Sequence, residues 1–274
     1  MANQIIAPQS NSQTKNLTDS KIYCELCNDT GWIVDKDNIA TPCVCYKKRI
    51  LSNRINFASI PETFKDIRLN SFNLGYYSNK AGISEVLNAV KYYLSHFEEM
   101  KSEGIGMYLW SETKGSGKTR MATSLGNEMI YEYEMSVRFI TSLDIISEIK
   151  ATWNKESELN SESQLMKYLN SVEVLIIDDF GTEKRDDRQN WIDDKFYQIV
   201  NSRYMNRLIT IFTSNIPIDQ LMYDSRITNR IKERVYEIHF PEESIRDGIA
   251  AARKRKMNNE IKERKNGQEF TKFR

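Results

Sequence analysis

The stretch Gly106-Met107-Tyr108-Leu109-Trp110, followed by Ser111-Glu112-Thr113-Lys114-Gly115-Ser116-Gly117-Lys118-Thr119, limits what this chain can fold into more than any other. An apolar run passes into a glycine-bearing turn and then into Arg120-Met121-Ala122. Strand, loop and helix start in that order are the setting a phosphate-binding P-loop requires. Successive backbone N–H groups would point inward, and the helix N-terminus would add positive potential. Lys118 would reach the β- and γ-phosphates, and the Thr119 hydroxyl would ligate Mg²⁺. The nucleotide-binding segment is then Lys114, Gly115, Ser116, Gly117, Lys118, Thr119 and Arg120. One position departs from G-x-x-x-x-G-K-[ST]: its first glycine falls on Glu112, which lacks glycine's φ freedom and adds a carboxylate near anionic phosphates. The plain alternative is a chance Gly-Lys-Thr in a turn.

A second element raises the value of the first. Val172-Glu173-Val174-Leu175-Ile176-Ile177-Asp178-Asp179 is an apolar run ending in two acids, which predicts a buried parallel strand with carboxylates at its C-terminal end. This is a Walker B pattern: Asp178 would hold Mg²⁺ and Asp179 would act as general base on the attacking water. Leu208 to Thr213 is a further strand capped by Ser214-Asn215. Asn215 would orient that water, or would simply cap a turn. Leu221 to Arg234 predicts a helix with Arg226, Arg230 and Arg234 on one face, either solvated or offering an arginine finger to a neighbouring subunit.

Elsewhere the periodicity predicts one helix from Ala81 to about Glu103 and a strand at Val137–Ile140. It predicts a helix over 142–153 with Leu143, Ile146 and Ile149 on one face. A polar loop over 154–163, a short helix over 164–169, a helix over 190–205 and a last strand over 235–240 follow. Alternating strands and helices give an α/β fold with an open parallel sheet. From Ser244 the chain carries Arg253-Lys254-Arg255-Lys256 and Lys262 to Lys265, a solvated helix or a patch for an acidic partner or nucleic acid.

The four cysteines, Cys24, Cys27, Cys43 and Cys45, fall in one short segment of a 274-residue chain that has no others. Residues 1–20 are polar, without the basic start and apolar centre of a signal peptide, and read as a disordered tail of a cytoplasmic protein. In a reducing compartment, clustered thiols argue for metal over disulfides. Trp32-Ile33-Val34 and the run to Pro42 suggest a hairpin that brings four thiolates together for tetrahedral Zn²⁺. An iron–sulfur cluster or free thiols are the alternatives. Tyr46 to Phe57 reads as a short basic helix with a solvated face. No apolar run is long enough to span a bilayer, and a net charge of +1 leaves any nucleic-acid surface local.

Taken together, Gly117-Lys118-Thr119, Ile177-Asp178-Asp179-Phe180-Gly181, Thr213-Ser214-Asn215, then Arg226 and Arg230, resemble an AAA+ ATPase of the DnaC/DnaI helicase-loader group. Tyr197 to Tyr204, the four-cysteine module and Ile60-Pro61-Glu62-Thr63-Phe64 also look like that group, in its Gram-positive and phage form. The likeness covers about residues 22–245. It implies an AAA+ P-loop domain over 81–245, behind a zinc-binding, helicase-interacting module over 21–57 and a linker over 58–80, with a basic tail over 246–274. It implies an ATPase using ATP, Mg²⁺ and Zn²⁺ that binds a hexameric replicative helicase, self-associates and helps place the helicase on single-stranded DNA. Arg230 would then serve a neighbouring subunit. In the stretch 144–153, Lys150 would pair with phosphate and Trp153 would stack on a base; for Trp153 a core position is the alternative.

Three other readings compete. A transposition helper ATPase shares the core, but the cysteine module favours the loader. A small-molecule kinase needs an acceptor site and a lid, and no segment reads as either. A non-hydrolysing adaptor would follow if Glu112 disabled the loop. GTP is disfavoured, because the nearest match to N-K-x-D, Asn154-Lys155-Glu156-Ser157, has Ser in the base-reading place.

Overall fold

The structure, a computed structural model, describes residues 24–153, 159–183 and 190–267. The expected tail over 1–20 lies outside the described residues, as does the first half of the expected 154–163 loop. The chain divides into two units between Arg54 and Ile55.

In the first unit, strands β1 (Trp32–Val34) and β2 (Ala40–Pro42) pair antiparallel, with Trp32 opposite Pro42. Every residue of both strands is exposed. Helix α1 (Tyr46–Ala58) follows and continues past the division at Arg54. Tyr46 packs edge-on to Trp32 and Arg49 pairs with Asp29 at 2.7 Å. So few apolar contacts cannot offset the entropy of ordering the segment.

The second unit is a five-stranded parallel sheet. In chain order its strands are β3 (Gly106–Trp110), β4 (Val137–Thr141), β5 (Val174–Asp178), β6 (Ile209–Ser214) and β7 (Val235–His239). Their spatial order is β4-β5-β6-β3-β7. All five residues of β5 are buried, as expected for a strand covered on both faces. Around the sheet run α2 (Lys80–Ser95), α3 (Phe97–Glu103), α4 (Lys118–Glu132), α5 (Ser142–Thr152), α6 (Leu159–Ser171), α7 (Asn190–Met205) and α8 (Ser225–Glu233), and α9 (Ile245–Gly267) closes the described chain.

Several boundaries differ from expectation. The single helix expected up to Glu103 breaks at His96 (φ −114°, ψ 26°), which turns Phe97 into the core against Tyr133, ring centroids 4.1 Å apart. On α5 the buried stripe is Ile145, Ile146 and Ile149, while Leu143 is exposed. Helix α6 starts at Leu159, inside the expected loop. Helix α8 starts at Ser225 because Asp224 caps it, accepting from the Arg226 N–H, while Leu221 and Tyr223 are buried in the preceding loop.

Residues 58–80 run along α4 and the P-loop. Asn127 donates to the carbonyls of Phe64 and Ile67 at 2.9 and 2.8 Å, Arg68 pairs with Glu128 and Glu132, and Tyr77 donates to the Ser116 carbonyl at 2.7 Å. Deep in the core, Arg203 on α7 is 1% exposed. Its guanidinium donates to the carbonyls of Leu169, Val172, Glu173 and Ile209 and to Thr210 Oγ1. It thereby ties the end of α6 and the starts of β5 and β6 to α7. No local pattern in the sequence announces this role.

Candidate functional site

The P-loop occupies the turn from β3 to α4. Gly115 (φ +84°) and Gly117 (φ +102°) hold the left-handed conformations the loop requires. A Cβ on Gly117 would also sit 2.4 Å from the Tyr77 hydroxyl. Glu112, where the usual pattern has glycine, is not among the positive-φ residues, and its side chain is exposed. The departure therefore imposes no backbone strain. Lys118 is buried, and its Nζ donates to the carbonyls of Ser111 and Thr113, both at 3.0 Å, and to Ser116 Oγ at 3.2 Å. Burial lowers its pKa, while Asp179, Glu242 and Asp178 act in the other direction.

Asp178 ends β5, buried, and its Oδ1 accepts from Thr119 Oγ1 at 2.9 Å and from Thr213 Oγ1 at the end of β6. Burial pushes its carboxyl pKa up, partly opposed by the Thr213 hydrogen bond. Asp179 has φ +53°, a conformation that non-glycine residues hold only when their surroundings over-determine it. Here they do. Its N–H donates to Thr213 Oγ1 at 3.0 Å, and its carbonyl accepts from Ser142 Oγ at 3.0 Å and Thr182 Oγ1 at 2.7 Å. The strained peptide aims the Asp179 side chain into the same cleft as the P-loop.

That cleft has a volume of about 440 Å³, within the range of small-molecule sites. Lys114 to Arg120, Asp179 and Asn215 line it. Phe64, Thr182, Ile245, Arg246 and Ile249 line it too, and sequence reasoning singled out none of these as site residues. Helix α9 begins at the cleft, with the Ile245 N–H donating to the Gly115 carbonyl at 3.0 Å. The basic tail therefore starts as a wall of the site.

Arg230 does not line the cleft. It lies on α8 against α7, donating to Asn201 Oδ1 and to the Arg226 carbonyl, both at 2.8 Å. Arg226, Arg230 and Arg234 form a ladder over the rings of Tyr197 and Tyr204, each arginine carbon within 4.9 to 5.7 Å of a ring centroid. The shared face is thus stacked on tyrosines as well as wetted by solvent. Trp153, at the end of α5, is 55% exposed, edge-on to Trp191 at 4.8 Å. Lys150 Nζ lies 5.7 Å from the Trp191 ring centroid.

Residues 108–248, just over half of the chain, match the family described as IstB-like ATP binding protein. The chain belongs to that family. Its IstB-like domain is of the AAA+ type shared with DnaC loaders. The phage-like element PBSX protein XkdC of Bacillus subtilis (strain 168) is 22% identical over 80% of each chain. The replicative helicase loader DnaC of Buchnera aphidicola subsp. Schizaphis graminum is 28% identical over 56% of this chain, which spans 58% of that loader's length. A crystal structure of DnaI superposes with a TM-score of 0.54 at 23% identity, covering 66% of this chain and 95% of that one. The fold expectation of a parallel α/β AAA+ sheet is met. Among the described residues no helix is long and apolar enough to cross a membrane.

The four cysteines form a second constellation in the first unit. All four Sγ atoms lie within 4.8 Å of one another, with Cys24–Cys43 at 3.7 Å and Cys27–Cys45 at 3.4 Å. Zn–S bonds of about 2.3 Å in a tetrahedron separate sulfurs by about 3.8 Å, so the donor set fits Zn²⁺. Asn28 and Asp29 turn the knuckle with positive φ, and the Gly31 N–H donates to Cys27 Sγ at 3.3 Å. Burial opposes ionisation of Cys27, but that N–H and the neighbouring thiols bring its pKa to about 7. Burial and the same neighbours push Cys45 up to about 12. A cluster that resists holding several negative charges at once is suited to a cation at its centre.

Proposed function

We propose that this protein is an ATP-dependent loader that binds a hexameric replicative helicase and helps place it on single-stranded DNA. The observation that carries the reading is a cleft lined by Lys114 to Arg120, Asp179 and Asn215, with Asp178 bonded to Thr119 beside it, on a chain whose relatives include a named replicative helicase loader. Backbone N–H groups of 115–119 and Lys118 bind the phosphates. Thr119 and Asp178 hold the Mg²⁺ that ATP brings, which neutralises charge on the β- and γ-oxygens. Asp179 accepts a proton from the attacking water, and Asn215 orients that water. Arg230, outside its own cleft, reaches the γ-phosphate bound by a neighbouring copy. Cys24, Cys27, Cys43 and Cys45 hold one structural Zn²⁺ in the helicase-binding unit. Lys150 and Trp153 contact single-stranded DNA.

The test mixes the full chain with a hexameric replicative helicase, then follows transfer of the helicase to circular single-stranded DNA with ATP. A stable complex and ATP-dependent transfer are expected. Capture of a transposase in place of the helicase would convert the reading to a transposition helper. The subunit-interface assignment has its own test. Arg230→Ala should keep ATP affinity and lose stimulated hydrolysis, and mixing it with Lys118→Ala protein should restore part of the activity. Lack of recovery in verified mixed assemblies would remove Arg230 from the interface. Asp179→Asn should bind ATP and turn it over slowly; normal turnover would remove Asp179 as base.

A further inference from the structure

The end of β7 delivers a carboxylate to the outer side of the P-loop. The Phe240 N–H donates to the Trp110 carbonyl at 2.8 Å, which fixes the chain as it leaves the sheet. Two residues on, Glu242 accepts four hydrogen bonds from the loop and its flank. Oε1 accepts from the Glu112 N–H at 3.0 Å and from His239 Nε2 at 2.7 Å. Oε2 accepts from the Thr113 N–H at 2.7 Å and from Ser111 Oγ at 3.0 Å. His239 is itself stacked on Trp110, ring centroids 4.1 Å apart. The contacts with the loop span about 130 positions in sequence, and no local pattern announces them.

The geometry of one peptide bond links this carboxylate to the phosphate-facing lysine. In a trans peptide the C=O of one residue and the N–H of the next point in opposite directions. The unit joining Ser111 to Glu112 has its N–H on Glu242 and its C=O on Lys118 Nζ, at 3.0 Å on either side. Glu242 and Lys118 therefore grip opposite edges of one peptide. Thr113 is held by the same two groups through separate peptide units, its N–H donating to Glu242 and its C=O accepting from Lys118. The grip falls on Glu112, where the usual loop has glycine.

We propose that Glu242 is the positioning residue of this P-loop: it orients the 111–113 backbone, whose carbonyls aim Lys118 at the phosphates. This rests on the reading of the cleft as an ATP site. The depressed pKa of Glu242, about 2, agrees with a carboxylate whose hydrogen bonds, chiefly from His239, Thr113 and Glu112, overcome the opposing effect of burial. The adjacent Glu243 provides an internal control. It accepts from the N–H groups of Ser78 and Asn79 at 2.8 and 2.9 Å, neither of which belongs to residues 111–113.

The experiment titrates the full chain and its Glu242→Ala, Glu242→Gln and Glu243→Ala variants with Mg-ATP and Mg-ADP, alongside thermal unfolding. Glu242→Ala should weaken ATP about 10-fold or more, the scale of two lost charge-assisted hydrogen bonds. Glu242→Gln, which keeps one acceptor oxygen, should fall between it and the parent. Glu243→Ala should stay within about 2-fold, the near-neutral range of a site outside the network. Because Lys118 serves the far end of the phosphate chain, the loss should be larger for ATP than for ADP. If Glu242→Ala unfolds early, the ATP affinity of Glu242→Gln decides between the outcomes. Parent-like ATP affinity in Glu242→Gln and Glu242→Ala overturns the proposal, as does an equal loss in Glu243→Ala or an equal loss for ATP and ADP. A parent protein that binds no ATP would instead overturn the reading of the cleft, and this proposal with it.

Discussion

The two units hold themselves together by opposite means. In the second, Phe180 is fully buried and packs against Phe196, Phe212 and Tyr223 with centroids 4.7 to 5.3 Å apart, part of a large apolar cluster around the sheet. In the first, Leu26, Trp32, Ile33, Val34, Ile39 and Val44 are all exposed, and the buried hydrophobic side chains among its described residues are Cys27 and Cys43. A core lets a chain fold before it binds anything. A segment whose interior is sulfur depends on what the sulfur binds. The units should therefore fail independently and under different insults, and each prediction below tests that separation.

The largest effect is expected from metal removal. Apparent metal-binding energies of structural zinc are about 10 kcal/mol or more, so chelation or Cys43→Ser should unfold residues 24–45 outright. Trypsin should then cut within 24–54 while the second unit melts as before. Equal trypsin resistance with and without zinc would leave the unit's order to something other than metal. The mirror-image experiment is Arg203→Met. It leaves buried carbonyls of Leu169, Val172 and Ile209 without their donor, at a cost of about 3–5 kcal/mol. The second unit's melting point should drop by roughly 10 °C, with zinc content unchanged. A drop that also releases zinc would mean the two units share one cooperative transition.

Smaller again is the effect of Lys118→Ala, which acts on the site and not on the fold. Its ammonium is worth about 1.5–3 kcal/mol in charge-assisted bonds to phosphate, hence roughly 10- to 100-fold in ATP affinity by titration. Thermal stability should change little, because relief of the buried charge opposes the loss of its bonds to the Ser111 and Thr113 carbonyls. An unstable variant would make Lys118 a structural strut of the loop.

The same contrast governs what the sequence disclosed. The apolar run of β5, the glycines of the loop and the hairpin between cysteine pairs are local patterns, so sheet, P-loop and thiol cluster could be read from them. Lys118, Asp179 and Asn215 stood out because strand ends in an open α/β sheet converge on one crevice. Glu242, Arg203 and Arg246 did not stand out, since a glutamate or arginine has the same local appearance on a solvated face and in a buried network. Only contacts distant in sequence separate the two. The break at His96 and the late start of α8 were missed for a related reason: Phe97 and Tyr223 are placed by tertiary packing that periodicity does not see.

The smallest effect belongs to Trp153, which neither metal nor core holds in place. Its ring touches Trp191 edge-on and the residue is more than half exposed, so Trp153→Ala should leave the melting of the second unit within about 1 °C, as for most surface changes. A base stacked on the ring would be worth about 1–3 kcal/mol, and a single exposed platform belongs at the low end, roughly 5-fold in affinity for a labelled oligo-dT by anisotropy. Trp153→Phe should keep most of that. Lys150→Gln should instead flatten the salt dependence, lowering the slope of log K against log salt by about 0.7 for one phosphate contact on a single strand. The two residues thus predict different signatures, one nearly independent of salt and one defined by it. If Trp153→Ala lowers the melting point and spares DNA affinity, the residue is a packing aromatic, and the measured affinity would be traced next to the exposed basic run of α9 from Arg253 to Lys256.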